Sequence, residues 1–248
     1  MKSNPSVHVY AVCKNEMDFI PHFFKYYERI ADRIVIYDNQ SIDGSREYIQ
    51  NHEKGELRNY NTSGELRDDI HMWIKNSVWK ESRGIADWVI VSDLDEVVYH
   101  RRLKRFLLIQ QKKGVTICKG VGFNMYSDSY PSADGALIDQ VNLGAYSIQF
   151  SKMVLFNPNE IAELNSTPGG HNAYPEGNVK LSTFDGLYLL HFKYLGGLDR
   201  LLKRWSIVGN ELSAINLKFR WGIQRRDADE IAKRYAFVKS NAVKVIRK

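Results

Sequence analysis

Three acidic side chains follow an apolar run of the chain and could hold a divalent cation. Asp93, Asp95 and Glu96 come directly after residues 88–92 (WVIVS), which have the composition of a buried strand. Carboxylate oxygens are the ligands that Mg²⁺ and Mn²⁺ accept, and grouped carboxylates are costly to bury unless a cation lies between them. This spacing predicts a metal site with Asp93 and Asp95 as ligands. The alternative is a solvated acidic turn.

Polar side chains also follow the first two predicted strands, at residues 7–13 and 34–37. They are Lys14, Asn15, Glu16, Asp38 and Asn39. Ligands of open parallel sheets bind beyond the carboxyl ends of the strands, so these side chains and the acidic run are expected to open on one crevice. An oxygen or amide of Asp38 or Asn39 could hydrogen-bond a base or a ribose there.

Alternating strand and helix patterns must position these side chains over about the first 100 residues. Predicted strands lie at residues 7–13, 34–37, 57–60 and 88–92. Predicted helices lie at residues 16–32, 45–52 and 65–83. This alternation predicts an α/β fold with a mostly parallel, doubly wound sheet.

The second half of the chain has a different pattern. A helix is predicted at residues 102–113, and strands at residues 115–126, 145–156 and 187–194. Pro, Gly and Asn in residues 127–139 and 161–181 predict two long irregular loops, which are usually functional or disordered. Helical spacing returns at residues 199–217 and 227–242.

Composition excludes several classes of protein. The 248 residues are 44% hydrophobic and contain no apolar run of membrane-spanning length and no secretory signal. The expected location is the cytoplasm, at a membrane surface if the contact is peripheral, because the two cysteines do not suggest a disulfide framework. Cys13 and Cys118 lie in apolar runs and are expected to be small buried hydrophobes. The net charge of +6 suits a nucleic acid, an anionic membrane surface or a polyanionic small molecule. No nucleic-acid-binding module is recognisable, so no nucleic-acid partner is expected.

Several motifs together resemble a known enzyme group. Residues 11–16 (AVCKNE), 37–45 (YDNQSIDGS) and 92–96 (SDLDE) are similar, in order and approximate spacing, to the opening landmarks of family 2 and family 92-like glycosyltransferases. Residues 150–154 (FSKMV) and 190–194 (LHFKY) are similar to later landmarks of the same group. The resemblance implies a GT-A fold, with a Rossmann-like nucleotide-binding sheet, that binds a nucleotide-sugar, commonly a UDP-sugar, through Mn²⁺ or Mg²⁺.

The resemblance also implies roles for individual residues. Asp38 or Asn39 would contact the nucleoside, Asp93 the ribose or the metal, and Asp95 the metal. His191 occupies the place of a C-terminal metal-binding histidine, and an ordinary strand histidine is its alternative. Arg67 would contact the base or the diphosphate, unless it lies on a solvated helix face. The expected donor-binding residues are Val12, Lys14, Asn15, Glu16, Asp38, Asn39, Arg67, Asp93, Leu94, Lys152 and Lys193.

The catalytic base is the point where this sequence departs from the family 2 pattern, which supplies an acidic pair after the metal motif. The candidates are His171, Glu176, Asp139 and Asp185. His171 leads, because it lies in the glycine-containing segment 167–172 and because imidazole titrates near neutral pH. The resemblance favours a single displacement that inverts the anomeric centre.

The expected organisation is one GT-A domain at residues 1–198 with a helical C-terminal extension at residues 199–248. Residues 1–100 would bind the nucleotide and the metal, and residues 101–198 the acceptor, a hydroxyl group of a glycan, glycolipid or glycoprotein. The extension combines an apolar stripe with basic residues. It could dock on an anionic membrane as a peripheral contact or pack on its own domain.

Two other functions compete with transfer of a sugar. Phosphohydrolases of the haloacid dehalogenase kind also end a strand in two aspartates separated by one residue. In them a threonine follows two places later, where this chain has Val97. A catalytically inactive, carbohydrate-binding GT-A module is the non-enzymatic alternative.

Overall fold

The computed structural model of the chain describes residues 4–182 and 186–246. Its strands are β1 (Val7–Cys13), β2 (Arg33–Asp38), β3 (Gly55–Asn59), β4 (Trp88–Asp93), β5 (Glu96–Tyr99), β6 (Ile117–Cys118), β7 (Val121–Ser127), β8 (Leu143–Tyr146), β9 (Leu155–Phe156), β10 (Ile161–Glu163), β11 (Glu176–Gly177), β12 (Tyr188–Leu195) and β13 (Val243–Lys244). Its α-helices are α1 (Ile20–Tyr27), α2 (Ser45–Asn51), α3 (Asp68–Ser77), α4 (Leu103–Lys112), α5 (Leu137–Gln140), α6 (Gly197–Asn210), α7 (Ala214–Lys218) and α8 (Ala228–Asn241).

The main sheet has six strands in the order β3-β2-β1-β4-β9-β6. The first four are parallel, and β9 is antiparallel to both of its neighbours. The register pairs Cys13 with Asp38 and Val12 with Asp93, so the ends of β2, β1 and β4 lie side by side. The predicted α/β class with a mostly parallel central sheet is confirmed, and so is the common edge of these three strands.

Both faces of this sheet are buried, which explains the continuous apolar composition of its strands. Along β1, Val9 and Ala11 pack in the cluster that contains Phe23 and Phe24 of α1. Tyr10, which points to the opposite face, packs in a second cluster with Trp79. Alternate residues of one strand therefore anchor two layers, and the strand ends are held rigidly.

A second sheet of five strands, in the order β13-β8-β7-β12-β5, lies beyond the acidic run. The chain passes from β4 of the first sheet to β5 of the second within the turn that contains Leu94 and Asp95. In the second sheet His191 is opposite Glu96 on one side and Asn124 on the other. This crossing brings the acidic run and His191 together, although they are 95 positions apart.

The predictions for the middle of the chain were wrong in detail. The segments predicted as single strands, 115–126 and 145–156, each divide between the two sheets, as β6 with β7 and as β8 with β9. A 3₁₀ turn at Ile148–Phe150 separates β8 from β9. Continuous apolar composition does not show that a chain changes sheets, because both parts are buried.

Other element boundaries also differ from the predictions. Helix α1 begins four residues later than predicted, with Pro21 in its first turn, where proline is favoured. The predicted helix 65–83 is α3 followed by a 3₁₀ turn at Val78–Ser82. The two predicted irregular loops contain α5, β10 and β11, so they are not entirely without regular structure.

The C-terminal helices pack on the second sheet. Leu201 and Trp205 of α6 are buried in a cluster with Tyr194 of β12 and with Ile231 and Tyr235 of α8. The apolar stripe of α6 is thus covered by the chain itself. In the two described ranges, every helix is too short or too polar to cross a lipid bilayer.

Candidate active site

A cavity of about 670 Å³ opens at the carboxyl ends of β1 and β4, between the two sheets and the C-terminal helices. Ten of the predicted site residues line it: Val12, Lys14, Glu16, Asp93, Leu94, Asp95, Lys152, His171, His191 and Lys193. The fold therefore brings together residues from five separate segments of the chain. A polar cleft at the carboxyl edge of a parallel sheet is the usual position of a ligand site.

Four predicted donor-binding residues do not line the cavity. Asp38 is fully buried and accepts hydrogen bonds from the backbone N–H of Ser41 at 3.0 Å and from Arg46 at 2.7 Å. Asn39 is hydrogen-bonded to Thr62. Both fasten the loop after β2. Asp38 Oδ1 is also buried and has no hydrogen-bond partner among the described residues, and neither residue lines the cavity.

Asn15 and Arg67 are also held elsewhere. Asn15 has a positive φ of 52° and accepts a hydrogen bond from the backbone N–H of Ile42 at 2.9 Å. Arg67 donates two hydrogen bonds to Asp69, at 2.9 and 2.7 Å. Both residues lie outside the cavity lining, and the hydrogen bonds found for them are local.

Two lysines compensate two members of the acidic run. Lys75 Nζ lies 2.6 Å from Asp93 Oδ1, and Lys152 Nζ lies 2.5 Å from Glu96 Oε1. Although burial raises the pKa of Asp93, Lys75 and then Lys152 lower it below the usual range. The sequence argument that grouped carboxylates require a metal is therefore incomplete, because ammonium groups from α3 and from residue 152 neutralise two of the three.

Asp95 and His191 form the remaining pair. His191 Nε2 lies 3.3 Å from Asp95 Oδ2, and His191 Nδ1 lies 2.8 Å from Asn124 Oδ1. Since an amide oxygen only accepts, Nδ1 carries a proton in this arrangement. Nε2 then faces the Asp95 carboxylate, and this contact is favourable only if a proton or a cation lies between the two atoms. Burial raises the pKa of Asp95, but His191, Arg204 and Lys193 together lower it below the usual range.

These two side chains fit a cation that is held jointly with a ligand. Within residues 4–182 and 186–246, no group of three or more His, Cys, Asp or Glu side chains is arranged to hold a metal ion. Asp95 supplies a carboxylate, which Mn²⁺ and Mg²⁺ accept together with phosphate oxygens and water, and His191 supplies an imidazole, a ligand of transition metals. The Asn124 contact is the kind of outer hydrogen bond that orients a metal-binding histidine.

His171 is the candidate base that lines the cavity. Its Nδ1–H donates to the Gln149 carbonyl at 2.9 Å, so Nε2 has the free lone pair. Burial, and then the charge of Lys152, lower the pKa of His171 below its usual value. A neutral imidazole with a fixed tautomer suits proton abstraction at neutral pH.

The other candidate bases lie away from the cavity or outside the described residues. Asp139 is exposed and pairs with Arg29 at 3.3 Å. Glu176, in β11, accepts a hydrogen bond from Asn165 at 2.9 Å. Neither lines the cavity. Asp185 lies outside the residues that the structure describes.

The C-terminal helices close the cavity and contribute residues that the sequence did not reveal. Arg204 of α6 donates two hydrogen bonds to Glu16, at 2.7 and 2.6 Å, and Lys14 lies 2.8 Å from Glu211. Burial raises the pKa of Glu16 to about 7, against the opposing effect of Arg204. The C-terminal segment is therefore fastened to the loop that follows β1.

Lys193 of β12 also lines the cavity. Its Nζ is 3.9 Å from the centre of the Trp205 ring, a cation–π contact. Burial, and then the positive charge of Arg225, lower the pKa of Lys193 to about 7. In the described part of the chain, no acidic side chain forms an ion pair with it.

Three residues near the site could not be found from the sequence. Lys75, Asn124 and Arg204 belong to no motif, so only their position in the fold identifies them.

Gly122 of β7 lets the 3₁₀ turn at Ile148–Phe150 approach the site. A Cβ atom at Gly122 would lie 2.2 Å from the carbonyl carbon of Phe150. The Phe150 ring stacks on His191 with 3.9 Å between ring centres. The side chain that supports His191 is therefore in place only because residue 122 has no side chain.

We expect Gly122→Ala to destabilise the protein by about 1–3 kcal/mol, because the backbone of the turn must move to accommodate the methyl group. The free energy of unfolding in urea measures this loss. Gly135→Ala is the control, since its Cβ would meet only the flexible side chain of Gln140, at 3.2 Å. Equal stability of the two variants would contradict the close approach at Gly122.

No protein-family model and no curated protein matches the chain. Among solved structures, TarS 1-349 of S. aureus in complex with UDP-GlcNAc is similar, with 11% identity, a TM-score of 0.44, and coverage of 95% of this chain and 74% of that one. A second structure of TarS 1-349 is 12% identical, with a TM-score of 0.45, and the match covers 95% of this chain and 73% of that one. A structure of S. aureus TarS is 11% identical, with a TM-score of 0.44, and the match covers 93% of this chain and 43% of that one. A likeness this weak leaves the function to the chain's own geometry.

Proposed function

We propose that this protein is a glycosyltransferase that moves a sugar from a nucleotide-sugar donor, a UDP-sugar, to an acceptor hydroxyl group. The observation that carries the proposal is the Asp95–His191 pair, which faces a large polar cavity at the carboxyl edge of β1 and β4. Lys193 and Arg204 line the same cavity. A carboxylate–imidazole pair beside cationic side chains suits a metal-bound diphosphate.

Each part of the cavity has a separate task in this proposal. Asp95 and His191 would hold Mn²⁺ or Mg²⁺, which when bound stabilises negative charge on the leaving diphosphate. Lys193 lies at the cavity wall and adds positive charge for the same oxygens. In this proposal Asp93 and Glu96 do not bind the cation, because each is paired with a lysine; they form part of the cavity wall.

His171 would take the proton of the acceptor hydroxyl at Nε2. The acceptor oxygen then attacks the anomeric carbon, the bond from that carbon to the diphosphate oxygen breaks, and its electron pair leaves with the diphosphate. A base on the face opposite the leaving group gives one displacement with inversion. The Gln149 carbonyl holds the other ring nitrogen and so fixes which nitrogen can accept the proton.

His171→Gln is expected to lower kcat/KM by about 10²-fold or more, because the acceptor proton has no base to receive it. Since the wild-type imidazole works unprotonated, activity should fall as the pH drops through the pKa of His171, which lies below its usual value. The variant should lack this acid limb. A transfer assay across pH 5–9 measures both effects. An unchanged pH profile in the variant would assign the base to another group.

Binding separates the proposed enzyme from the alternatives. We expect a panel of nucleotide-sugars with Mn²⁺ to raise the melting temperature, since a ligand that binds only the folded state stabilises it. Turnover of p-nitrophenyl phosphate with Mg²⁺ and no sugar donor would instead favour a phosphohydrolase. Metal-enhanced UDP binding without transfer or donor hydrolysis would favour an inactive carbohydrate-binding module.

A further inference from the structure

A short loop that begins at the end of α7 alternates apolar and basic side chains on the surface. Residues 217–221 (LKFRW), which we name the basic–aromatic loop, include Leu217, 40% exposed, and Phe219, 54% exposed. The two basic residues of the loop are exposed as well. The Phe219 and Trp221 rings stack with 4.9 Å between ring centres, and Lys218 Nζ lies 5.5 Å from the centre of the Phe219 ring. Unlike the apolar stripe of α6, which the chain covers, this loop is open to solvent.

Hydrogen bonds hold the loop in a fixed turn. Asn216, which is fully buried, donates to Asp68 at the start of α3 at 2.9 Å, and the backbone N–H of Trp221 donates to the Asn216 carbonyl at 2.8 Å. Arg220 has φ of 58°, a left-handed conformation that glycine usually adopts at the end of a helix. The loop therefore stands on a rigid base, and a basic side chain occupies a position that glycine would fill with less strain.

The loop lies in a stretch of the chain that is basic only. Residues 212–226 contain four basic residues and no acidic residue. Basic side chains close to a membrane are attracted to its negative surface, by about 5-fold in affinity for each charge. Exposed Phe and Leu side chains add apolar area that lipid can bury, and Trp side chains favour the level of the lipid headgroups. The combination matches an anionic lipid surface.

A single-stranded nucleic acid is the other polyanion that basic and aromatic side chains bind. Its bases stack on free aromatic faces. In this loop the Phe219 ring is already stacked on Trp221, and the exposed Leu217 offers no surface for stacking. These contacts favour lipid over nucleic acid.

We propose that the basic–aromatic loop is a docking surface for an anionic lipid membrane. Leu217 and Phe219 enter the boundary between headgroups and acyl chains, while Lys218 and Arg220 contact lipid phosphates. Gln224 lines the cavity three residues beyond the loop, a separation of at most about 11 Å along the chain, so the docked membrane lies close to the cavity. Docking needs neither donor nor acceptor and is independent of the proposed function.

Sedimentation of the full chain with lipid vesicles tests this surface. The wild type should sediment with vesicles of phosphatidylcholine and phosphatidylserine in equal parts, and it should stay in solution with phosphatidylcholine alone. Phe219→Ser removes apolar area, and the double variant Lys218→Gln with Arg220→Gln removes two charges. Each should bind the mixed vesicles more weakly by about 10-fold or more.

Matched controls remove the same kinds of side chain elsewhere on the surface. Ile85 is 62% exposed, and Arg105 and Lys112 are exposed residues of α4. Ile85→Ser and the double variant Arg105→Gln with Lys112→Gln should bind the mixed vesicles like the wild type. The melting temperature of each variant reports whether it folds.

Three results would overturn the docking surface. They are a wild type that stays in solution with the mixed vesicles, folded loop variants that bind as the wild type does, and a loss confined to the variant that lacks the two charges. In the third case, displacement of the vesicles by a single-stranded oligonucleotide would indicate a nucleic-acid site instead. None of these results bears on sugar transfer, which vesicle binding does not require.

Discussion

Asp95→Ala is expected to reduce sugar transfer by about 10³-fold while the protein remains folded. The substitution removes the carboxylate that lies 3.3 Å from His191 and so leaves one side chain to hold the cation. Several kcal/mol of charge stabilisation in the transition state would be lost with it. Turnover with saturating Mn²⁺, and with EDTA added, measures the effect.

The control for this experiment is Asp134→Ala, which removes an exposed carboxylate outside the cavity and should leave turnover unchanged. Circular dichroism and the melting temperature report whether each variant folds. Wild-type turnover of a folded Asp95→Ala variant, with the same dependence on EDTA, would exclude Asp95 from the cation site.

Lys152→Met is expected to cost about 3–5 kcal/mol of the free energy of unfolding. Lys152 and Glu96 have side chains only 2% exposed and lie 2.5 Å apart, so the substitution leaves an unpaired carboxylate in the interior. Lys152 also donates to the Gly169 carbonyl at 2.8 Å, which ties the loop of His171 to the floor of the cavity. Urea unfolding of the wild type and the variant measures the loss.

The double variant Glu96→Gln with Lys152→Met separates the pair from simple packing. It removes both charges, so its free energy of unfolding should lie above that of Lys152→Met alone, although it contains one more substitution. Lys104→Met, at a half-buried residue of α4 outside the cavity, is the control and should change stability by less than about 0.5 kcal/mol. Additive losses in the double variant would contradict a buried ion pair that acts as a unit.

The sequence predicted the sheet edge because local composition is sufficient for it. Strands buried on both faces are continuously apolar, and helices between them force parallel pairing, so β1, β2 and β4 could be found before their contacts were known. The polar residues directly after β4 were then placed correctly, since the end of a strand fixes where its next side chains lie. Asp95 and His171 both line the cavity, and their roles in metal binding and catalysis stay predictions.

The sequence did not reveal which side chains would pair with one another. Asp38 and Arg67 matched motif positions, but Asp38 is buried against Arg46 and Arg67 is bonded to Asp69. Whether a charged group faces a ligand or a neighbour depends on groups that are distant in the chain. The same reason explains why Lys75, a residue of an ordinary helix pattern, was not recognised as the partner of Asp93.

The sequence by itself determined the class of sheet, the strand that ends at the acidic run, and the types of side chain available for a cation. Tertiary structure alone decided which carboxylates lysines neutralise, that Asp95 meets His191, and that Arg204 of the C-terminal segment lines the cavity. The physical reason is the separation along the chain of the residues that determine each property. Hydrophobic periodicity is set by neighbouring residues, whereas the charge balance of a cavity is set by whichever segments the fold brings within a few ångströms.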